Sequence, residues 1–197
     1  MIAITLASAS AARAAILAGA GVIFETALAD VDETAIKSEL LAADAGPRQI
    51  AERLAEAKAI AVSQRQGGLV IGADQTLEID GALYDKPVDL ACARQQLIGL
   101  RGRIHVLHAA VSLARDGQSL WRDVESARMT MRTFSTPFLE GYLGRQGDRV
   151  LRSVGGYQLE GEGAQLFDRI EGDYFAILGL PLFGLLGALR RHGAIAT

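Results

Sequence analysis

Two long segments with the residue pattern of strands, residues 103–114 and 120–133, lie on either side of an Asp116-Gly117 pair. Asp-Gly between two such segments favours a tight hairpin turn, because both turn positions need a positive φ. Most of the remaining chain alternates between short apolar runs and helical patterns, which is typical of parallel strands joined by helices. A hairpin inside such an alternation predicts an α/β fold with a mixed, twisted sheet and flanking helices.

Apolar periodicity and turn residues also locate the other elements. Strands are predicted over residues 2–7, 22–24, 69–79 and 166–170, and helices over residues 11–18, 47–64, 90–98, 137–143 and 181–191. The acidic segment 29–34 is predicted to be a loop. No repeat or linker interrupts the 197 residues, so residues 1–197 are expected to form one domain, or one domain of two lobes.

Composition narrows the class of protein. Lysine and arginine together number 20 and aspartate and glutamate 23, so the formal net charge is −3, while 50% of the residues are hydrophobic. This hydrophobic content excludes intrinsic disorder. The acidic balance argues against a general nucleic-acid partner, since no basic surplus is available to neutralise a phosphate backbone. A small acidic ligand needs only a few local cations and stays compatible with the sequence.

Cysteine and histidine are too scarce for most protein-built metal sites. Cys92 is the single cysteine, which excludes an internal disulfide and a cysteine-based zinc site and fits the reducing cytoplasm. His105 and His108 lie three residues apart on a predicted strand, so their side chains face opposite sides of the sheet. We therefore predict structural roles for both histidines.

The chain shows neither a secretion signal nor a membrane-spanning pattern. Its first residues lack a basic leader, so no signal peptide is expected. The longest uncharged stretch, residues 174–189, falls short of the roughly 20 residues of a spanning helix and contains Pro181. A membrane is therefore not an expected partner.

The turn between the first predicted strand and the first predicted helix carries side chains suited to an anion. Ser8, Ser10 and Arg13 would combine two hydroxyls, a guanidinium and free backbone N–H groups at a helix start. The alternative is an ordinary serine cap followed by a solvated arginine. A P-loop is excluded because no Gly-Lys-Ser/Thr sequence follows.

Two carboxylates are candidates for catalysis or metal binding. Asp74 lies in the predicted strand 69–79, where burial of a carboxylate is costly unless it is paired or bound to metal. The alternative for Asp74 is a turn residue at a strand end. Glu33 closes the acidic run 30–33, whose oxygens suit a divalent cation or acid/base chemistry. The alternative for this run is a solvated acidic turn.

Two lysines and a glycine-rich segment complete the candidates. Lys58 lies among small residues on a predicted helix and Lys86 precedes Pro87 in a loop, and each is either a point charge for phosphate or a solvated lysine. Glycines in residues 155–163 would let the backbone approach a ligand closely, and Glu160 within them can accept two N–H bonds from a guanine edge. The alternative is a flexible turn.

Taken in order, these motifs resemble those of the Maf family of nucleoside triphosphate pyrophosphatases over nearly the whole chain. The matching segments are Leu6-Ala7-Ser8-Ala9-Ser10 with Arg13, Val31-Asp32-Glu33, Leu54-Ala55 with Lys58-Ala59, Ile71-Gly72-Ala73-Asp74, Lys86-Pro87 and Gly179-Leu180-Pro181-Leu182. Each motif is weak alone, and their shared order makes the resemblance specific.

The resemblance implies a two-lobed α/β fold around a cleft, related to the inosine-triphosphate pyrophosphatases, and a single Maf-like domain. It implies hydrolysis of a nucleoside triphosphate to the monophosphate and pyrophosphate by a homodimer with a divalent metal, Mg²⁺ or Mn²⁺. By resemblance, Asp74 is the catalytic base and Glu33 its metal or water partner, with both as metal ligands. The residues expected to bind the triphosphate are Ser8, Ser10, Arg13, Lys58 and Lys86.

Three positions bear on the base that is recognised. Gln75 after Asp74, and Glu160 before Gly161, are similar to the family branch that acts on 7-methyl-GTP. Ala12 matches neither that branch, which has Trp there, nor the branch acting on dTTP and UTP, which has Arg. A 7-methyl-GTP-like substrate is therefore the first hypothesis. The alternatives are dTTP, UTP or a broader set, and a nucleotide-binding regulator of cell division without useful turnover.

Overall fold

The computed structural model describes residues 2–197 and contains one mixed sheet of seven strands with helices on both faces. The strands are β1 (Ile4–Ala7), β2 (Glu25–Thr26), β3 (Leu69–Ile79), β4 (Ala82–Tyr84), β5 (Ile104–Arg115), β6 (Gln118–Met131) and β7 (Phe167–Glu171). The α-helices are α1 (Ala11–Gly19), α2 (Glu33–Ala42), α3 (Pro47–Ser63), α4 (Leu90–Leu100), α5 (Thr136–Gln146), α6 (Tyr174–Ile177) and α7 (Leu182–Arg191). The predicted α/β class with a mixed sheet is confirmed.

The strand order is β2-β1-β3-β5-β6-β7, and β4 pairs with β3 on the same edge as β1. Strand β1 runs parallel to both β2 and β3, whereas the β3/β5, β5/β6 and β6/β7 pairs are antiparallel. The predicted hairpin joins β5 and β6, and Asp116 and Gly117 have φ values of 52° and 77°. Both positive angles are those that this turn requires.

One edge of β3 is interrupted in its middle. Strand β1 pairs with residues up to Gly72 on this edge, and β4 pairs with it from Leu77 onwards. Residues 73–76 therefore have a strand neighbour only on their other edge, where β5 runs continuously alongside. We call these four residues the β3 gap. It lies at the carboxyl end of β1, the part of an open α/β sheet where ligands usually bind.

Side chains on the two faces of β3 pack against different helices, because successive residues of a strand point to opposite sides. On one face Ile71 packs in a core with α1 and α7, while Leu77 packs in a second core with α4 and α5. Gln75 lies between these two cores. The opposite face is covered by α3. The two cores form the two predicted lobes on a shared sheet.

Helix α3 passes unusually close to β3. A Cβ atom added at Gly72 would lie 2.1 Å from the carbonyl oxygen of Ala55 and 2.6 Å from the amide nitrogen of Ala59. Only glycine fits such a contact between two backbones. The hydroxyl of Thr76 fixes the start of the same helix by donating to the carbonyl of Pro47 at 2.9 Å.

Two local predictions were wrong, and one short strand was missed. The second strand lies at Glu25–Thr26 and not at 22–24, because Val22 is buried in the core with α1. The acidic segment 29–34 is not entirely a loop, since Asp32 caps helix α2 by accepting from the amide of Ala35 at 2.9 Å. Strand β4, after the Asp80 turn, was not predicted.

Candidate active site

A cleft of about 970 Å³ opens at the β3 gap, between the two lobes. The structure brings every predicted site residue to its walls, although these residues come from widely separated parts of the chain. They are Ser8, Ser10, Ala12, Arg13, Glu33, Lys58, Asp74, Gln75, Lys86 and Glu160. Their roles stay predictions, whereas their convergence in one cleft is a feature of the fold.

Lys58 links the two candidate carboxylates. Its Nζ lies 2.6 Å from Asp74 Oδ1 and 2.9 Å from Glu33 Oε1. Both Lys58 and Asp74 are only 8% exposed, and Asp74 lies in the middle of β3. A solvated lysine and a strand-end turn residue are therefore excluded. The ammonium group compensates the burial of the carboxylate, since a buried charge persists only when it is paired.

The serine turn before α1 is organised by Arg13. Ser10 caps the helix by accepting from the amide of Arg13 at 3.4 Å, and Ser8 Oγ accepts from the amide of Ser10 at 3.2 Å. The guanidinium donates to Ser8 Oγ at 3.2 Å and to the carbonyl of Ala73 at 2.9 Å. Ala73 belongs to the β3 gap, so this bond occupies a carbonyl that no neighbouring strand pairs. The solvated-arginine alternative is excluded.

The Gly179-Leu180-Pro181 motif follows α6 and contacts this cluster. Arg13 Nε donates to the carbonyl of Gly179 at 2.8 Å, and Gln75 Nε2 donates to the carbonyls of Ala176 and Ile177 at 3.1 and 2.9 Å. Gly179 has a φ of 100°, and an added Cβ would lie 3.3 Å from Arg13 Nε. A glycine at this position therefore keeps the turn unstrained and close to the arginine.

Burial and neighbouring charges shift the pKa values of two positive groups in the cleft, Arg13 and Lys86. Burial lowers the pKa of Arg13, and the carboxylates of Asp74 and Glu33 oppose this shift. The pKa of Lys86 is lowered first by burial and then by the charge of Arg13, while Asp74 raises it. At Lys86, the neighbouring positive charges therefore outweigh the neighbouring carboxylates. An incoming anion would relieve this repulsion.

The segment that carries Glu160 is held in place by two hydrogen bonds of Tyr157. Tyr157 OH lies 2.6 Å from His105 Nε2, and Ser153 Oγ donates to the carbonyl of Tyr157 at 2.6 Å. Glu160 itself is exposed at the cleft wall. His108 faces the other side of the sheet, where its ring contacts Glu78. The predicted structural roles of both histidines agree with these contacts.

Lys37, Asp85 and Arg152 also line the cleft and were not predicted. Lys37 lies four residues after Glu33 on α2 and forms an ion pair with Asp85. The signal for Lys37 was its spacing, since residues i and i+4 share one face of a helix. The loop prediction for residues 29–34 concealed that signal. Arg152 precedes the glycine-rich segment and has no such pattern.

The donor groups of the cleft fit a divalent cation that arrives with phosphate. Glu33 and Asp74 offer carboxylate oxygens on either side of Lys58. Within residues 2–197, no group of three or more histidine, cysteine, aspartate or glutamate side chains is arranged to hold a metal ion. Mg²⁺ is commonly bound by one or two carboxylates plus substrate phosphates, so two carboxylates are enough for such a site.

No helix in the part of the chain from residue 2 to 197 combines the length and apolar character needed to cross a bilayer.

Comparison with known proteins places these features in one family. The family described as Maf-like protein matches residues 3–192. The nucleoside triphosphate pyrophosphatase of Caulobacter vibrioides is 57% identical over 194 residues, covering 98% of both chains. The 7-methyl-GTP pyrophosphatases of Brucella abortus and Rhizobium meliloti are 51% and 49% identical, over 98% and 96% of this chain and 97% and 96% of their own. This chain belongs to the Maf family.

Proposed function

We propose that this protein hydrolyses a nucleoside triphosphate to the monophosphate and pyrophosphate, with 7-methyl-GTP as the first candidate substrate. The observation that carries the proposal is the buried Lys58, which holds Asp74 and Glu33 in a cleft that also contains Arg13 and Lys86. Relatives named nucleoside triphosphate pyrophosphatase and 7-methyl-GTP pyrophosphatase support it.

The proposed reaction adds water to the α-phosphorus and breaks its bond to the bridging oxygen of pyrophosphate. Asp74 would orient the water and take its proton as the new P–O bond forms. Lys58 keeps the Asp74 carboxylate at the β3 gap through the 2.6 Å contact. A divalent cation, Mg²⁺ or Mn²⁺, held by Glu33 and Asp74 would stabilise charge on the phosphate oxygens.

Binding of the triphosphate would use the cations and the start of α1. Lys86 and Arg13 would neutralise the charge that pyrophosphate carries as it leaves. Because two nitrogens of Arg13 already donate to backbone carbonyls, its part in binding would be mainly electrostatic. Ser8 and Ser10 order the turn whose N–H groups lie at the positive end of the helix dipole.

A substrate panel tests the proposal. The purified protein would be incubated with Mg²⁺ and 7-methyl-GTP, GTP, dTTP or UTP, and monophosphate and pyrophosphate would be measured. We expect equal amounts of the two products and the highest kcat/KM for 7-methyl-GTP. Release of orthophosphate, or no turnover on any nucleotide, would contradict the proposed reaction. A preference for dTTP or UTP would favour the alternative that the substrate is a pyrimidine nucleotide.

Recognition of the base is proposed to depend on Glu160, whose exposed carboxylate is positioned at the cleft wall. Ala12 and Gln75 line the same cleft and would shape the remaining pocket. The Glu160→Gln variant is expected to lower kcat/KM for 7-methyl-GTP about tenfold, because a charge-assisted bond to the guanine edge is lost. Its activity on dTTP serves as the control. Equal losses on both nucleotides would show that Glu160 does not read the base.

We also propose that the protein is a cytoplasmic homodimer. The ring of Phe175 stacks edge to face on those of Tyr174 and Phe183, with centroids 5.8 and 5.6 Å away, respectively. Phe183 is 64% exposed. An exposed aromatic cluster is typical of an interaction surface. Light scattering after size exclusion should give twice the chain mass of 20.9 kDa. A monomer mass at micromolar concentration would contradict the dimer.

A further inference from the structure

Helix α2 is attached to the molecule in an unusual way. None of its residues is fully buried, and only Ile36, Lys37 and Leu40 are half-buried, so its apolar contact with the core is small. Two ion pairs connect the same face of α2 to the cleft, because residues i and i+4 lie above one another. Glu33 pairs with Lys58, and Lys37 pairs with Asp85 in the loop that also carries Lys86.

The distribution of lysine in this chain also points to Lys37. Only three of its 20 basic residues are lysines, namely Lys37, Lys58 and Lys86, and all three line the cleft. Among the arginines of residues 2–197, only Arg13 and Arg152 do so. Lysine offers a compact point charge with freely rotating donors, which suits a phosphate whose position changes during a reaction.

We propose that Lys37 is a further triphosphate-binding residue, which is paired with Asp85 in the free enzyme and exchanges this partner for a phosphate oxygen when the substrate enters. This inference rests on the proposed function. The exchange is favourable because the side chains of Lys37 and Asp85 are 26% and 62% exposed, and an ion pair this exposed contributes little to stability. A triphosphate carries several charges and competes successfully with one carboxylate.

The exchange predicts opposite effects for the two partners. Lys37→Gln removes a charge that binds phosphate, so KM should rise about fivefold to twentyfold, with a smaller change in kcat. Asp85→Asn releases Lys37, so KM should fall about twofold to fivefold. The loop itself stays anchored, because Gln96 Nε2 donates to the backbone carbonyl of residue 85 at 2.9 Å. Lys37→Arg should keep KM within about twofold of the original.

A permanent structural pair would behave differently, since loss of either partner would then raise KM. Equal increases for Lys37→Gln and Asp85→Asn would therefore overturn the proposal. Arg94→Gln is the matched control, because Arg94 forms an exposed ion pair with Glu140 outside the cleft, at 2.7 Å. Its KM should not change.

Chemical labelling tests the contact without turnover. Reductive methylation with formaldehyde modifies lysine side chains, and mass spectrometry can follow Lys37 and Lys86 separately, with and without inorganic tripolyphosphate and Mg²⁺. We expect tripolyphosphate to slow the labelling of both residues at least threefold. Protection of Lys86 without Lys37 would overturn this inference and leave the proposed function intact. Protection of neither would contradict phosphate binding in the cleft, and with it both proposals.

Discussion

Asp74 is a carboxylate in the middle of an apolar strand, and its position depends on one partner. The residue type was visible in the sequence, because charge is rare at such positions. The bridging role of Lys58 was less visible, since Lys58 lies on another element and contacts Asp74 only through tertiary structure. The contact of Arg13 with the carbonyl of Gly179 was equally hard to predict from the sequence, because it joins residues 166 positions apart.

Replacement of Asp74 by asparagine tests the assignment of the base. Asp74→Asn keeps the volume of the side chain but removes the group that takes the proton, so kcat should fall about 10²-fold or more. The substitution also leaves Lys58 with one negatively charged partner instead of two. Steady-state kinetics on the best substrate of the panel measure the effect. Asp168→Asn is the amide control, because Asp168 is exposed on β7. An unchanged kcat for Asp74→Asn would refute the role of Asp74.

His105 should make stability depend on pH. Burial lowers the pKa of this histidine from about 6.5 to about 4. In the unfolded chain the ring binds a proton near pH 6.5, while the folded ring stays neutral, so stability is complete above pH 6.5 and falls as the pH drops towards 4. From pH 7 to pH 5 this linkage corresponds to a loss of about 1–2 kcal/mol.

Urea unfolding of the original chain and of His105→Gln, at both pH values, measures this contribution. The variant loses the contact with Tyr157 and is expected to be less stable at pH 7. Its stability should nevertheless change less between pH 7 and pH 5, by about 1–2 kcal/mol. Equal pH dependence of the two proteins would show that the ring does not titrate as its burial implies.

At the scale of elements, long periodic segments were predicted well and short ones were not. Helix α3 and strand β3 were predicted to within one residue, because each carries a long pattern with clear ends. Helix α2 was missed although Ile36, Leu40 and Leu41 have helical spacing, because the acidic residues at its start were interpreted as a loop. The two-residue strand β2 depends on its pairing with β1, which local sequence does not encode.

The contact between α3 and β3 gives a prediction at this scale. In Gly72→Ala the new Cβ would clash with the backbone of α3 at 2.1 Å, so the helix must move away from the strand. We expect a loss of about 1–3 kcal/mol in the free energy of unfolding. Lys58 lies between Ala55 and Ala59 on this helix, so its contact with Asp74 should weaken and kcat should fall as well.

Gly144→Ala is the control for this substitution. Gly144 lies on α5, and nothing stands within 4 Å of an added Cβ. Alanine favours a helix over glycine by up to about 1 kcal/mol, so this variant should be as stable as the original chain or more so. Urea unfolding and steady-state kinetics of both variants check the two expectations. A fully active Gly72→Ala would show that the close approach does not position Lys58.

At the scale of the whole molecule, both lobes share one sheet. Strand β3 contributes Ile71 to the core with α1 and α7, and Leu77 to the core with α4 and α5. The β3 gap lies between these contributions, which explains why the cleft opens there. The sequence indicated a mixed sheet through its hairpin, but the gap follows from where β1 ends and β4 begins, and β4 was not predicted.

Because β3 and β5 run through both cores, we expect the two lobes to unfold together in a single thermal transition. Tripolyphosphate with Mg²⁺, at about 100 times its Kd, should stabilise the folded state by about 2.7 kcal/mol. This corresponds to a rise in Tm of about 5–10 °C for a chain of this size. Differential scanning calorimetry at fixed protein concentration measures both effects, and Lys86→Gln should reduce the rise. Two separate transitions, of which only one responds to tripolyphosphate, would mean that the shared strands do not couple the lobes and that the ligand contacts one lobe alone.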